Sequence, residues 1–243
     1  MSSSHGSNWY DQSKCQMKDI LIILVVLILS GNQALPISSS HTIKILNQGA
    51  FVNNNDSIPY DSIRTILEDA HDSDQKIREK LSAAEGSDSL FMSYLGEMTM
   101  VDRKNREKVL PILEKYGWLP ISKIGEKASD GLFYVLQHYV DLDLFRKYLP
   151  VIKKLSEKNE AKLWHAALIE DRLLVHENKK QIYGSQVVSR KGKYGGDYFV
   201  WPIREPAKVN SLREQVGLPL TVEENAKRLN AIYDPEESIP YAN

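Results

Sequence analysis

The sequence predicts an α+β protein, mainly α, with a helical body and a small antiparallel β-hairpin or meander late in the chain. Two observations predict it. Between residues 58 and 171, apolar residues recur at spacings of three and four, which gives helices one buried face. Beyond residue 171 the period shortens to two over short runs, with turn residues between them.

The first helix carries Ile63, Leu67, Ala70, Ile77 and Leu81 on one stripe, with Asp61 as its expected N-cap. It runs to about Ala84, and Gly86 breaks the pattern. Residues 89–116 keep the same rhythm through Phe91, Leu95, Met98, Val109, Ile112 and Tyr116. Pro111 interrupts this segment, which reads as one helix or as two with Asp102 capping the second. Gly117 stands at the usual C′ position. A helix follows the turn at Ser122 and ends at Tyr139, with Ala128, Leu132, Val135, Leu136 and Tyr139 on its apolar face. Asp141 or Asp143 caps the next, which carries Phe145, Leu149, Ile152 and Leu155. Residues 160–171 make another around Leu163, Trp164, Ala167 and Leu168.

Residues 172–176 and 181–188 then read as a β-hairpin, and residues 197–201 as a third strand ended by Pro202. Pro206 suits the first turn of a helix ending near Gly217. Thr221 and Glu224 have capping-box spacing for a last helix.

The 243 residues are 42% hydrophobic and 26% charged, an ordinary globular composition. A net charge of −1 offers no broad basic field, so nucleic acid is not an expected partner. Residues 20–29 are an unbroken run of Ile, Leu and Val behind Lys18. That is about half the ~20 residues of a membrane span, and fits a signal peptide over residues 17–34. Cleavage is expected after Ala34, although Asn32 is a poor residue three places before the cut. An uncleaved anchor is the alternative, and membrane contact is expected only through this segment. Residues 1–16 read as an upstream extension and hold the sole cysteine, Cys15. The mature chain then has no disulfide, which suits a periplasmic or cell-surface location. Residues 35–57 read as a flexible linker, 58–232 as one globular domain and 233–243 as a tail. Oligomeric state is not legible.

Chemistry is signalled by polar residues on apolar stripes. Asp74 takes the slot between Ala70 and Ile77, and Asp102 and Asn105 interrupt the second helix's stripe. A carboxylate buried there is costly unless paired, so these residues mark a structural network or a site. Asp74 and Arg78 are neighbours on one helix face. Gln137 and His138 lie beside the apolar edge of their helix, and Asp171 and Arg172 where helix was expected to give way to strand. Gln181, Tyr183, Ser185 and Gln186 give the following strand a polar face, either half-solvated or the wall of a cleft. There is no G-x-S-x-G elbow and no P-loop. His176-Glu177 fails as a zinc motif because Lys180 stands where the second His belongs.

These strings together resemble a bacterial family called domain of unknown function 6624. Asp74, Gln75 and Arg78 match its "DQ…R" helix, and Asp102 and Asn105 its "D..N". Gly117-Trp118, with Leu119 intervening before Pro120, resembles its "GWP". Ser122-Lys123-Ile124-Gly125, Gln137-His138 and Asp171-Arg172 follow in its order. Tyr183 to Gln186 match "YGTQ" with Ser185 for Thr, and Trp201-Pro202 is its late "WP". The resemblance covers residues 67–220 and implies no known activity.

One shared polar cleft is therefore expected to do acid–base chemistry of hydrolase or lyase type on a small polar or anionic molecule of the cell envelope. His138, Asp74, Asp102 and Asp171 are the catalytic candidates. Arg78, Asn105, Gln137, Arg172, Gln181, Tyr183 and Gln186 are the substrate-binding candidates, with the two arginines holding an anionic group. Clustered carboxylates are expected to raise the pKa of His138 toward neutrality. Whether a cofactor takes part is not legible. A metal held by Asp74, Asp102, Asp171 and His138 is a lesser variant. A non-catalytic ligand- or peptide-binding module and a purely structural network are the alternatives.

Overall fold

A computed structural model describes residues 58–84, 87–189 and 198–239. The expected signal segment, its cleavage point and the linker lie outside these residues.

Helix α1 (Tyr60–Ala83) starts behind Pro59, so Asp61 is not its cap. Asp61 lies in the first turn instead, where its charge meets the positive end of the helix dipole. Helix α2 (Asp88–Tyr116) is continuous through Pro111. Pro111 and Glu107 are both on the exposed side, so the carbonyl that loses its donor faces solvent. Asp102 is thus a mid-helix residue rather than a cap. Gly117 ends α2 with φ of 73°. A single turn, α3 (Ile121–Ile124), leads into α4 (Glu126–Tyr139), whose residues 128 to 137 are all buried. Helix α5 (Leu142–Ser156) is capped by Asp141, which accepts from the amides of Asp143 and Leu144, both at 3.0 Å. Helix α6 (Leu163–His176) packs on α5.

Helix α4 is the centre of the body and rests on α1. Paired contacts run in the same order along both helices. A Cβ at Gly131 would lie 2.1 Å from the carbonyl oxygen of Leu67, so only glycine permits this approach. One turn on, His71 and Tyr134 have ring centroids 5.6 Å apart. A further turn brings Asp74 opposite His138. The close crossing at Gly131 therefore sets the spacing of the two polar residues beyond it.

The expected strand at 172–176 is helix. Leu168, Ile169, Arg172 and Leu173 are all buried and share one helical face, and that continuous burial outweighs the short alternation. Residues 181–186 form an irregular loop rather than a strand. Its Gly184 has φ of 64°, and a Cβ there would come within 2.7 Å of Val222. The sheet contains β1 (Val187–Ser189), β2 (Tyr198–Val200) and β3 (Ala231–Ile232) in that order. β1 and β2 pair antiparallel, with Val188 opposite Phe199; β2 and β3 pair parallel. A 3-10 turn (Pro206–Lys208) opens α7 (Val209–Gln215), and α8 (Val222–Arg228) carries the expected Thr221–Glu224 capping box. Val187, Val200, Ile203, Val209, Val222 and Ala226 form a small core under the sheet. The architecture is α+β and mainly α. Among the described residues, no helix is long and apolar enough to cross a membrane.

Candidate functional site

A cavity of about 470 Å³ opens between α2 and the C-terminal end of α4. Its polar lining includes Asp74 from α1, Asp102, Arg103, Asn105 and Arg106 from α2, and His138 and Tyr139 from α4. Leu95, Met98, Met100 and Val135 supply much of its apolar wall.

Arg78 organises the acidic side. Its Nη1 lies 2.7 Å from Asp74 Oδ1, and its Nη2 donates to both Asp102 oxygens at 3.0 and 3.2 Å. Arg78 and Asp74 are buried, whereas the Asp102 side chain keeps 24% of its exposure. Burial holds the Asp102 carboxyl above its ordinary value although Arg78 opposes the shift. Gln75 Nε2 donates to Asp74 Oδ2 at 3.0 Å. Asn105 joins the helices: its Nδ2 donates to the Ala70 carbonyl (3.1 Å), and its Oδ1 accepts from Ser73 Oγ (3.0 Å).

His138 is the least satisfied member of the group. Its side chain is 3% exposed, and its Nε2 stands 3.4 Å from Asp74 Oδ1. Among the described residues, neither ring nitrogen makes a hydrogen bond. Burial, then the charges of Arg78 and Arg172, push its pKa well below the ordinary imidazole value. This corrects the expectation that carboxylates would raise it. Asp74 is shared with Arg78, so desolvation and two guanidiniums prevail over one carboxylate. His138 is accordingly neutral at pH 7, with a nitrogen able to accept a proton.

The backbone just beyond His138 is strained. Val140 adopts φ 48°, ψ 57°, a left-handed conformation unfavourable for a β-branched residue. Arg172 secures this end of α4: its Nη1 donates to the Gln137 carbonyl, one of the last of the helix. Its Nε donates to Gln186 Oε1 at 3.3 Å. Complete burial brings the Arg172 pKa down to about 9.

The other expected site residues build a buttress. Asp171 accepts from the amides of Ile182 (2.7 Å), Tyr183 (3.0 Å) and Ser185 (3.0 Å). Its complete burial still leaves its pKa raised. Gln181 Nε2 donates to the carbonyls of Gln186 and Trp201 at 3.0 and 2.6 Å, and its Oε1 accepts from the Gln186 amide. The Tyr183 carbonyl accepts from Arg213 Nη1 at 2.7 Å, and burial lifts its phenol to about 12. None of Asp171, Arg172, Gln181, Tyr183 and Gln186 lines the cavity, and neither do Arg78 and Gln137. The Gln137 side-chain amide is fully buried and has no hydrogen-bond partner among the described residues.

This geometry removes the proposed metal set. Asp171 is spent on backbone amides, and among the described residues no group of three His, Cys, Asp or Glu could hold a metal ion. It also adds residues that the sequence did not mark for chemistry, and Tyr139, expected on the buried apolar face of α4, is exposed instead. Arg103, Arg106 and Tyr139 line the mouth, with the Arg106 guanidinium 5.0 Å from the Tyr139 ring centre. A second buried imidazole, His165, stacks on Phe133 and donates from Nε2 to Asp130 Oδ1 at 3.0 Å. Lys162 Nζ holds the other Asp130 oxygen at 2.7 Å.

Residues 62–235 match a family of unknown function, DUF6624, and the chain belongs to that family. No curated protein and no solved structure gives a significant match.

Proposed function

We propose that the cavity binds a small polar molecule and transfers a proton on it, with neutral His138 as general base. One observation carries this reading: His138 lines the cavity, its buried ring nitrogens have no hydrogen bond among the described residues, and a carboxylate oxygen stands opposite one of them. Asp74 orients the ring and stabilises the imidazolium that forms. Asp102, partly exposed and with a raised pKa, suits the return of a proton. The hydroxyl of Thr99 at the cavity wall is committed to the Leu95 carbonyl (3.0 Å). That favours attack by an activated water, or abstraction of a substrate proton, over a hydroxyl nucleophile. Hydrolase and lyase chemistry both fit. The apolar run at residues 20–29 supports placing this activity in the periplasm or at the cell surface.

The test is turnover of a panel of small esters, amides and hydroxy acids by the protein and by His138→Asn. The expected result is a substrate whose turnover falls about 10²–10⁴-fold in the variant, while the melting temperature and ligand-induced shift persist. Equal turnover by both proteins would contradict the role of His138. Ligand binding without turnover of any compound would favour the binding-module reading, which the arginines at the mouth, without an ion pair among the described residues, also support.

A further inference from the structure

We propose that the cavity selects a small amphiphilic anion, with a phosphate or carboxylate group held by Arg103 and Arg106 and a short apolar arm along Leu95, Met98 and Met100. The assignment rests on the acid–base reading and names the ligand class for the same cavity.

Arg103 and Arg106 are three residues apart on α2 and both line the cavity. Among the described residues, neither has a carboxylate at ion-pair distance. Arg103 Nη2 contacts the Met100 sulfur at 3.3 Å, and Arg106 lies over the Tyr139 ring. The arginines expected from the sequence are unsuited to this task. Arg78 is buried between two carboxylates, and Arg172 is fully buried against the Gln137 carbonyl and Gln186. Guanidiniums already engaged by protein oxygens have little left for a ligand, whereas among the described residues the pair at the mouth has no carboxylate at ion-pair distance, Arg106 acting on Asp102 only through space.

Charge supports the same conclusion. Asp74 and Asp102 face Arg78, Arg103 and Arg106, so three cations stand against two carboxylates while His138 is neutral. The excess positive charge lies on the outer, solvent-reached side, since Arg103 is exposed and Arg106 half-buried. Independently, His138 lies deeper in the cavity wall, with buried ring nitrogens that make no hydrogen bond among the described residues. Between the two, Leu95, Met98 and Met100 give an apolar wall. Met100 is 46% exposed at the mouth, and methionine adapts to varied apolar shapes. An ion without an apolar arm would satisfy the arginines and leave that wall against water.

The experiment is isothermal titration at low ionic strength with inorganic phosphate, monobutyl phosphate and butyrate. It compares the unaltered protein with Arg103→Gln/Arg106→Gln and with His138→Asn. Monobutyl phosphate is expected to bind about tenfold or more tightly than inorganic phosphate through partial burial of its methylenes. The double arginine variant is expected to lose about tenfold or more for every probe with its unliganded melting temperature unchanged, and binding should weaken as salt rises. Either order of monobutyl phosphate and butyrate supports the proposal and identifies the preferred oxyanion. Unchanged binding by the arginine variant, equal affinity for inorganic and butyl phosphate, or no binding at millimolar probe overturns it. If the arginine variant binds normally while His138→Asn loses turnover, the anion assignment alone falls. If the arginine variant loses binding while His138→Asn turns over normally, the acid–base reading alone falls.

Discussion

Arg78→Met is expected to destabilise the protein by about 3–5 kcal/mol, the usual cost of removing one partner from a buried ion pair. Arg78 is buried and its guanidinium bridges Asp74 and Asp102, so the variant leaves two carboxylates facing each other across α1 and α2. Chemical denaturation at neutral pH measures the loss. Its sign with pH is also fixed. Burial already holds the Asp102 carboxyl above its ordinary value and Arg78 opposes that shift, so without the guanidinium the folded state binds more protons than the unfolded state. The deficit is therefore expected to shrink as pH falls from neutrality toward the raised carboxyl pKa. Adding Asp74→Asn and Asp102→Asn to the variant should recover much of the stability, because no uncompensated charge remains. A loss well under 1 kcal/mol for Arg78→Met, or no recovery in the triple variant, would show that the three groups are not energetically coupled.

Asp171→Ala is expected to be of similar severity. The carboxylate is completely buried and collects the amides of Ile182, Tyr183 and Ser185. Each buried donor left without an acceptor costs about 1–3 kcal/mol, so a total of roughly 3 kcal/mol or more is expected. The damage should spread along a defined route. The loop at 181–186 carries Gln186, Gln186 receives Arg172, and Arg172 holds the Gln137 carbonyl beside His138. Hydrogen exchange should therefore accelerate at the amides of Ile182, Tyr183 and Ser185 and at the last turn of α4, while α5 keeps its protection. Uniform acceleration, or protection of the loop unchanged, would contradict the buttress role of Asp171.

How much of this was legible in the sequence depends on what each residue touches. Asp74, Asp102 and Asn105 could be marked because a polar residue on a helical stripe breaks a period, and all three line the cavity. Arg103, Arg106 and Tyr139 could not. A charged residue on the outer face of a helix keeps the expected pattern, an aromatic at a helix end reads as part of the apolar face, and the cavity forms only where α2 meets the end of α4. Asp171 was marked for chemistry because a carboxylate at a helix end has no partner in the sequence. Its partners are backbone amides of a loop eleven to fourteen residues on, which no side-chain pattern records. Val140 left no trace either, since nothing local foretells a valine in the left-handed region where glycine is usual. The strand expected at 172–176 failed because five residues are too few to separate a period of two from the end of a helix whose buried face continues through Leu173. The helices themselves were legible because their apolar stripes are long.

The central claim is that His138 is a buried, neutral imidazole facing the cavity, and a nitrogen-resolved NMR titration of its ring tests that most directly. Its pKa in the folded protein is lowered, so in the window below the ordinary value of 6.5 the unfolded state binds a proton that the folded state does not. Stability should therefore decline with falling pH over that window. The ring nitrogens should report a neutral tautomer down through pH 6.5, with protonation only at more acid pH and a change in nitrogen shift when a ligand enters the cavity. A midpoint at or above 6.5, or ring nitrogens indifferent to every cavity ligand, would contradict the account.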